Sequence, residues 1–334
     1  MSTDGPVDTG ISVVIPCFNE VDNVNPVHAE VVSELGDLDL ELIFVDDGSR
    51  DGTLAALKTL AGADPRVQYI SFTRNFGIEA AFSAGYRYAS RPWVLHLDAD
   101  QQFPAREARR LIEAAEQGYD AVFGVRVGRD DPWIRRLGSA GFHRLAAALR
   151  IEVPRGATTF RLVRTELART IVDLRLGTPY FLATVPRLTN RYTTVPVAHR
   201  ARRRGTSKVN VRWLAQHAID LYVSVGRRLT TVAAGIAMAA GVVAVLCAIA
   251  VPLGLLGPTA ARTAAFLLAA APLAVLGFTV RYLVSIAAGQ ARPRLFYVRE
   301  STVPIRDEDS LLGRDTRATG ATDGPGVTND ATPS

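Results

Sequence analysis

The chain has 334 residues, 48% of them hydrophobic, with 38 Lys and Arg against 33 Asp and Glu for a formal net charge of +5. That length holds a full α/β domain and something more, and its two cysteines, Cys17 and Cys247, exclude a disulfide framework and fit a reducing compartment. The positive surplus crowds at 200–228 and 292–299, each beside a long apolar stretch, so a bilayer surface is the simpler partner and no nucleic acid is expected.

Residues 1–10 form a tail with neither a basic n-region nor an apolar core, which does not read as a signal peptide. Ile11–Pro16 is a short β-branched strand stopped by proline, and Cys17-Phe18-Asn19-Glu20 is the loop after it. A helix is predicted over 22–35. A buried strand over 40–45 then ends in Asp46-Asp47-Gly48-Ser49, with Asp51 close behind. Gly48 relaxes the turn, and Ser49 or Asp51 can cap a helix over 53–61. Capping suits Asp51 better than ligand binding does. Asp46 and Asp47, at a strand's carboxyl edge, suit turn chemistry and nucleoside binding equally. A third strand over 67–72 leads through Arg74-Asn75-Phe76-Gly77 into a helix ending near Ala89.

Trp93–Asp100 is the stretch around which the rest is arranged. An apolar strand runs into Asp98 and Asp100, and on extended chain the i, i+2 spacing turns both carboxylates the same way. Open α/β sheets hold ligands at that edge. Magnesium or manganese bridging a diphosphate needs one or two carboxylates there, with phosphate oxygens and water completing the octahedron. A D-x-D alone is a weak signal, since most such pairs are solvated turn acids. His96 reads as a hydrogen-bonded core histidine, because no second His or Cys lies near it. A helix over 104–117 starts on Pro104, and a fifth strand covers 121–125. Strands alternating with helices predict an α/β fold with a doubly wound, mostly parallel sheet. Neither a G-x-G-x-x-G fingerprint nor a G-x-x-x-x-G-K-[ST] loop is present.

Beyond Val125 the character changes. Four arginines lie within residues 126–136, and Trp133, Ile134, Leu137, Phe142 and Leu145 supply the apolar face of a helix reaching about Leu149. Such a helix can lie on a membrane while its arginines grip an anionic head group. Thr158–Leu162 and Tyr192–Val197 are expected as edge strands, and 182–190 as a helix, closing a domain over 11–198. The basic juxtamembrane segment 199–228 holds eight Lys and Arg against one acid, Asp220. No charge follows from 229 to 261, and 18 uncharged residues separate Arg262 from Arg281. Two transmembrane helices, 229–257 and 263–288, are therefore expected, since about 20 helical residues cross a bilayer core. Arg281 would snorkel, in preference to contacting a lipid phosphate. Basic flanks are expected to put the 11–198 domain and both termini in the cytoplasm of a multi-pass plasma-membrane protein. Residues 289–305 would be a cytoplasmic segment and 306–334 a disordered tail.

Val14-Ile-Pro-Cys-Phe-Asn-Glu20, Val45-Asp-Asp-Gly-Ser49, Arg74-Asn-Phe-Gly77, Leu97-Asp-Ala-Asp-Gln-Gln102 and Gly205-Thr-Ser-Lys208, in this order, resemble inverting family-2 glycosyltransferases. Within that family the chain is similar to the polyprenyl-phosphate group, which includes dolichol-phosphate mannose synthase and undecaprenyl-phosphate 4-deoxy-4-formamido-L-arabinose transferase. The likeness covers roughly residues 11–299. It implies a GT-A-type fold and transfer of a sugar, with inversion, from a nucleotide diphosphate donor, UDP-linked by expectation, to undecaprenyl or decaprenyl phosphate. It also implies that Pro16, Phe18, Glu20, Asp46, Asp47, Arg74, Asn75 and Asp98 border the nucleotide sugar. Asp100 and Gln102 would hold Mg²⁺ or Mn²⁺. Arg126, Arg135, Ser139, Arg202 and Lys208 would handle donor and lipid phosphates beside the catalytic Asp98 and Asp100. The spans could support a homo-oligomer.

Two departures stand out. Many relatives carry Gly-Asp where this chain has Gly156-Ala157, so a proposed catalytic acid or base is missing, and a Gly-Glu-Tyr pattern in the second span is replaced around Arg281. Two other readings compete. A processive polysaccharide synthase would carry Gln-x-x-Arg-Trp, whereas Val209 precedes Arg212-Trp213 here. A catalytically inert membrane scaffold would have no need of Asp98, Asp100 and Gln102.

Overall fold

The computed structural model describes residues 10–126, 152–174, 181–200 and 295–310, with scattered positions between 235 and 283. Its centre is β1 (Ile11–Cys17), paired in parallel with β2 (Leu40–Asp46) on one side and β4 (Trp93–His96) on the other. β3 (Val67–Phe72) continues the parallel side. Beyond β4 lie β6 (Ala157–Arg164), β5 (Ala121–Arg126) and the edge strand β7 (Tyr192–Val197), giving eight strands in the order β7-β5-β6-β4-β1-β2-β3-β8. β8 (Val298–Ser301) is antiparallel to β3, and β6 is antiparallel to both neighbours.

The central strands are mostly apolar because both faces are covered. Val13, Ile15, Leu42 and Phe44 face the cluster that takes in α1 (Val21–Leu35), α2 (Thr53–Ala63) and α4 (Ala108–Glu116). Their neighbours Val14, Ile43 and Val45 face α3 (Ile78–Tyr88), α5 (Thr165–Asp173) and α6 (Phe181–Leu188). Gly85 lets α3 lie directly on β1, since a Cβ there would strike the Val14 side chain. The predicted α/β, mostly parallel sheet is observed, and the helices expected within residues 22–117 and 182–190 and the first five strands fall within a few residues of expectation, whereas α5 follows β6 where no helix was expected. The helix expected over 104–117 opens as a 3-10 turn, Ala105–Glu107, before α4.

Three expectations change. The 158–162 strand is not an edge: β6 sits between β5 and β4, burying Phe160, Leu162 and Val163 on its two faces. Its polar ends hid that position. β4 stops at His96, so Asp98 and Asp100 occupy a turn rather than extended chain, with Gln101 at φ 56°. Residues 306–310, expected to begin a disordered tail, dock on the domain instead. Arg87 Nη1 donates to both oxygens of Asp309 at 2.7 and 2.8 Å, and Tyr88 donates its hydroxyl to the same carboxylate at 2.5 Å. Composition could not show this pair, because it closes across 222 residues.

The helix with Trp133, the basic segment after Arg200, most of both predicted spans and residues 311–334 lie outside the described residues. Among those described, no helix is long and apolar enough to cross a membrane. Met238, Leu253, Phe266 and Leu273 are 66–74% exposed.

Arg87 and Asp309 are 8% and 4% exposed, and the other carboxylate within reach of Arg87, that of Asp173, stands 3.9 Å away and exposed, so removing Asp309 leaves a buried guanidinium without its close counter-ion. Asp309→Ala is expected to cost about 3 kcal/mol of folding stability, read as a lower denaturation midpoint of the full chain. An Arg87→Leu/Asp309→Leu double variant should recover much of that loss.

Candidate active site

Strand order reverses at β1: β2 and β3 lie on one side and β4 on the other, so the loops leaving β1 and β4 diverge. A cleft of about 310 Å³ opens there. Pro16, Phe18 and Glu20 come from the loop after β1, Asp47 from the end of β2, Asn75 and Gly77 from the approach to α3, and Asp98, Asp100 and Gln102 from the turn after β4. Of the residues expected to border a nucleotide sugar, this brings Pro16, Phe18, Glu20, Asp47, Asn75 and Asp98 together, with the expected metal pair Asp100 and Gln102 beside them.

Asp46 and Arg74 are not brought in. Asp46 is 1% exposed and spends both oxygens inside the fold, accepting the Ser49 N–H at 3.0 Å and the Ser71 hydroxyl at 2.8 Å. It builds the turn. Arg74 points outward, its guanidinium 4.0 Å over the Phe76 ring. Asp51 accepts the N–H and hydroxyl of Thr53 at the start of α2 and stays with turn chemistry, while the N-cap position itself is Gly52, which makes no side-chain capping bond. Arg126 ends β5 with its guanidinium 5.3 Å from the Phe103 ring centre, outside the cleft lining. Arg135, Ser139, Arg202 and Lys208 lie outside the described residues.

Asp47 both lines the cleft and shapes it. Its carboxylate accepts the N–H of Phe76 at 2.6 Å and of Gly77 at 2.9 Å, holding the 74–77 loop against β2. Gly48 is needed for the same approach: its φ is +68° and a Cβ would meet the Arg74 backbone. Burial pushes the Asp47 carboxyl up to about 6, against the downward pull of those two amides. In the first turn of α3, Glu79 encloses one carboxylate oxygen with no hydrogen-bond partner among the described residues. Burial raises it to about 7, with the Arg161 charge acting the other way.

Asp98 behaves differently. Burial alone would raise its carboxyl, but hydrogen bonds from His96 and Thr159 and the charge of Arg161 outweigh that and the net shift is downward. His96 is fully buried, as a core histidine should be, and its desolvated ring is neutral, lowered to about 3. Thr159, which donates to Asp98 at 3.0 Å and lines the cleft, was invisible in the sequence. Its partner is set by sheet register: β4 and β6 pair antiparallel with His96 opposite Arg161, which carries Thr159 to Asp98.

Asp100 and Gln102 supply hard oxygen donors at the cleft, and the Gln102 N–H meets Asp100 Oδ1 at 3.2 Å. No group of three or more His, Cys, Asp and Glu that could hold a metal occurs among the described residues. A magnesium or manganese ion therefore fits here only as such ions often bind, with substrate phosphates and water completing the shell. The Gln102 carbonyl also accepts the Arg200 N–H at 2.8 Å, and Arg200 pairs with Glu30 at 3.0 Å. The start of the basic segment is thereby fastened to the Asp98–Gln102 turn.

The sequence profile described as "Glycosyl transferase family 2" matches residues 12–172. Undecaprenyl-phosphate 4-deoxy-4-formamido-L-arabinose transferase of Sodalis glossinidius is 31% identical over 228 residues, 66% of this chain and 69% of that protein. The chain belongs to glycosyltransferase family 2, and it is a glycosyltransferase. The protein of the same name from Pseudomonas fluorescens is 33% identical over 63% of each chain. An uncharacterized glycosyltransferase of Synechocystis, sll0501, is 30% identical over 63% of this chain and 67% of its own. The chain thus spans about two thirds of the length of such relatives, in keeping with the polyprenyl-phosphate group. Glucosyl-3-phosphoglycerate synthase of Mycobacterium tuberculosis, solved with Mn²⁺, UDP and glucosyl-3-phosphoglycerate, superposes with a TM-score of 0.47 at 21% identity, covering 65% of this chain and 80% of that one. A likeness of that degree says nothing about substrate.

Glu79 makes folding stability depend on pH. Its native pKa, about 7, lies above its ordinary 4.5, so the folded chain holds the proton more tightly between those values. Its contribution is present below pH 4.5 and is lost as pH rises towards 7. Denaturation of full-length protein at pH 5 and pH 8 should show Glu79→Gln gaining much more stability on the parent chain at the higher pH. An equal difference at both would exclude the buried carboxyl as the cause.

Proposed function

We propose that this glycosyltransferase moves a sugar from a nucleoside diphosphate to a polyprenyl phosphate at a membrane surface, with inversion. The observation that carries this reading is the cleft wall itself: Asp98, Asp100 and Gln102 emerge from one turn, opposite Glu20 and Asp47, at the edge where α/β sheets hold nucleotides. Relatives named for transfer to undecaprenyl phosphate support the acceptor class.

Asp98 and Asp47 would take up hydrogen-bond donors of the nucleotide sugar. Asp100 and Gln102 would hold Mg²⁺ or Mn²⁺ against its phosphates. Such an ion, when bound, neutralises the charge that grows on the departing diphosphate. An acceptor phosphate oxygen then forms a bond to the anomeric carbon as the bond to the nucleoside diphosphate breaks. A phosphate monoester, with a second pKa of about 6, is largely ionised at neutral pH and needs no base. Ala157, where the resemblance to the family would imply an acid, is compatible with that. Two anions must still meet, and Arg126, Arg135, Ser139, Arg202 and Lys208 would offset their repulsion.

The membrane reading draws on the uncharged runs after Arg228 and on the exposed apolar side chains between 238 and 283. Arg200 is bonded to the Asp98–Gln102 turn and β8 to β3, so the chain both leaves and regains the catalytic domain. Whatever crosses a bilayer in between would cross it an even number of times, which keeps residues 295–310 on the side of the catalytic domain, and the basic flanks at 200–228 and 292–299 are what favour the cytoplasm as that side. The spans could also mediate self-association.

A panel of UDP- and GDP-sugars, each radiolabelled and offered to membranes containing undecaprenyl phosphate, tests the whole reading. Label is expected in short glycolipid; label in long polymer would mean a processive synthase, and label in neither an inert scaffold. Excess chelator and Asp100→Ala should each abolish transfer, the variant keeping the parent's melting temperature. Undiminished glycolipid in either case would overturn the metal role.

A further inference from the structure

Behind the cleft a line of buried polar groups runs from β6 to Asp98. Arg161 is 3% exposed, enclosed by aromatic rings, with its guanidinium 5.2 Å from the Phe82 ring centre and 4.7 Å from that of Phe181. Its Nε–H donates to the Tyr86 hydroxyl at 3.0 Å. That hydroxyl lies 3.1 Å from His96 Nδ1, and His96 Nε2 lies 3.3 Å from Asp98 Oδ1. Tyr86 and His96 are 1% and 0% exposed.

The direction of every bond in this line follows from its first member. A guanidinium only donates. The Tyr86 oxygen therefore accepts from Arg161 and turns its own proton to His96 Nδ1. With Nδ1 an acceptor, a neutral imidazole carries its proton on Nε2, where it meets Asp98. The opposite tautomer would set two donors against each other at Tyr86 unless the phenol turned away, and no water reaches so buried a ring to compensate. On the other side, Thr159 donates to Asp98 Oδ2 at 3.0 Å. Each carboxylate oxygen thus has one fixed protein donor, and its remaining lone pairs are left for the cleft.

We propose that His96 is a positioning residue, and that the Arg161–Tyr86–His96 line holds Asp98 in one orientation as an acceptor-only carboxylate aimed at a hydrogen-bond donor of the nucleotide sugar. This rests on the reading of Asp98 as a donor-site residue. The line fixes what Asp98 can recognise: a hydroxyl or N–H of the sugar nucleotide and not one of its phosphate oxygens. The buried cation also stands in for a charge the histidine itself does not carry.

The test uses full-length protein and the UDP- or GDP-sugar that gives the highest turnover in the panel above. His96→Phe keeps a ring of similar size and removes the donor. It is expected to raise KM for the nucleotide sugar about tenfold with kcat little changed, the pattern of a contact made equally in ground and transition states. His96→Gln, whose amide N–H can reach the same oxygen, should recover most of the loss. In metal-free protein labelled with ¹⁵N-histidine, the resonance absent from His96→Gln should show the Nε2–H tautomer in the parent chain and a mixture in Tyr86→Phe. That spectrum decides the matter even if His96→Phe does not fold. An Nδ1–H tautomer, or an unchanged KM in a folded His96→Phe, overturns the proposal. Asp98→Asn separates it from the reading beneath: if that variant keeps the parent's KM, the donor-site role of Asp98 is wrong. If it loses the donor while His96→Phe does not, only the line from Arg161 fails.

Discussion

Parallel pairing of β1 with both β2 and β4 is the constraint on which the rest of the molecule depends. It sets three carboxyl ends side by side and sends their loops apart, so a cleft has to open between them. Among the described residues, Pro16, Phe18, Glu20, Asp47, Asp98, Asp100 and Gln102 are delivered by that divergence, with Asn75 added from the loop after β3 and Thr159 from β6. The apolar interiors of the strands make the pairing obligatory, because Val13 and Ile15 are buried towards one layer of helices and Val14 towards the other. A slip of one residue would exchange those two faces.

In and just behind the cleft, carboxylates are divided by what their oxygens already hold. Asp46 is fully engaged inside the fold, and Asp47 is occupied with the amides of Phe76 and Gly77 while still touching the cleft. Asp98 takes one side-chain donor on each oxygen. Asp100 stands at the opening beside Gln102. Burial raises Asp47 and Glu79, whereas directed hydrogen bonds and a buried cation lower Asp98. Acids of one chemical type, within one small volume, thereby acquire different tasks.

The carboxyl-terminal segment adds a second constraint. β8 covers the free edge of β3, and Phe296 stacks on Phe72 at 5.0 Å while the Tyr297 carbonyl accepts the Thr73 N–H. The Asp309–Arg87 pair fastens the end of the segment to α3. Residues far along the chain thus brace the 73–77 loop from behind, so the cleft is shaped from both ends of the sequence. An exposed strand edge is also removed by the same contact.

Local signals were enough for much of this. Apolar runs of strand length, Pro16, the Gly48 turn and the ordered motifs from Val14 to Gln102 specified the α/β class, the alternation of elements, most of the cleft residues and the family. They did so because each depends on neighbours in sequence: side-chain period, backbone freedom and capping. Long-range pairing decided the remainder. Thr159 meets Asp98 only through β4–β6 register, Asp46 is withdrawn by Ser71, and Asp309 finds Arg87 across 222 residues. No spacing along a chain encodes which strands will be neighbours in a sheet, since that choice is made by the burial of whole faces at once.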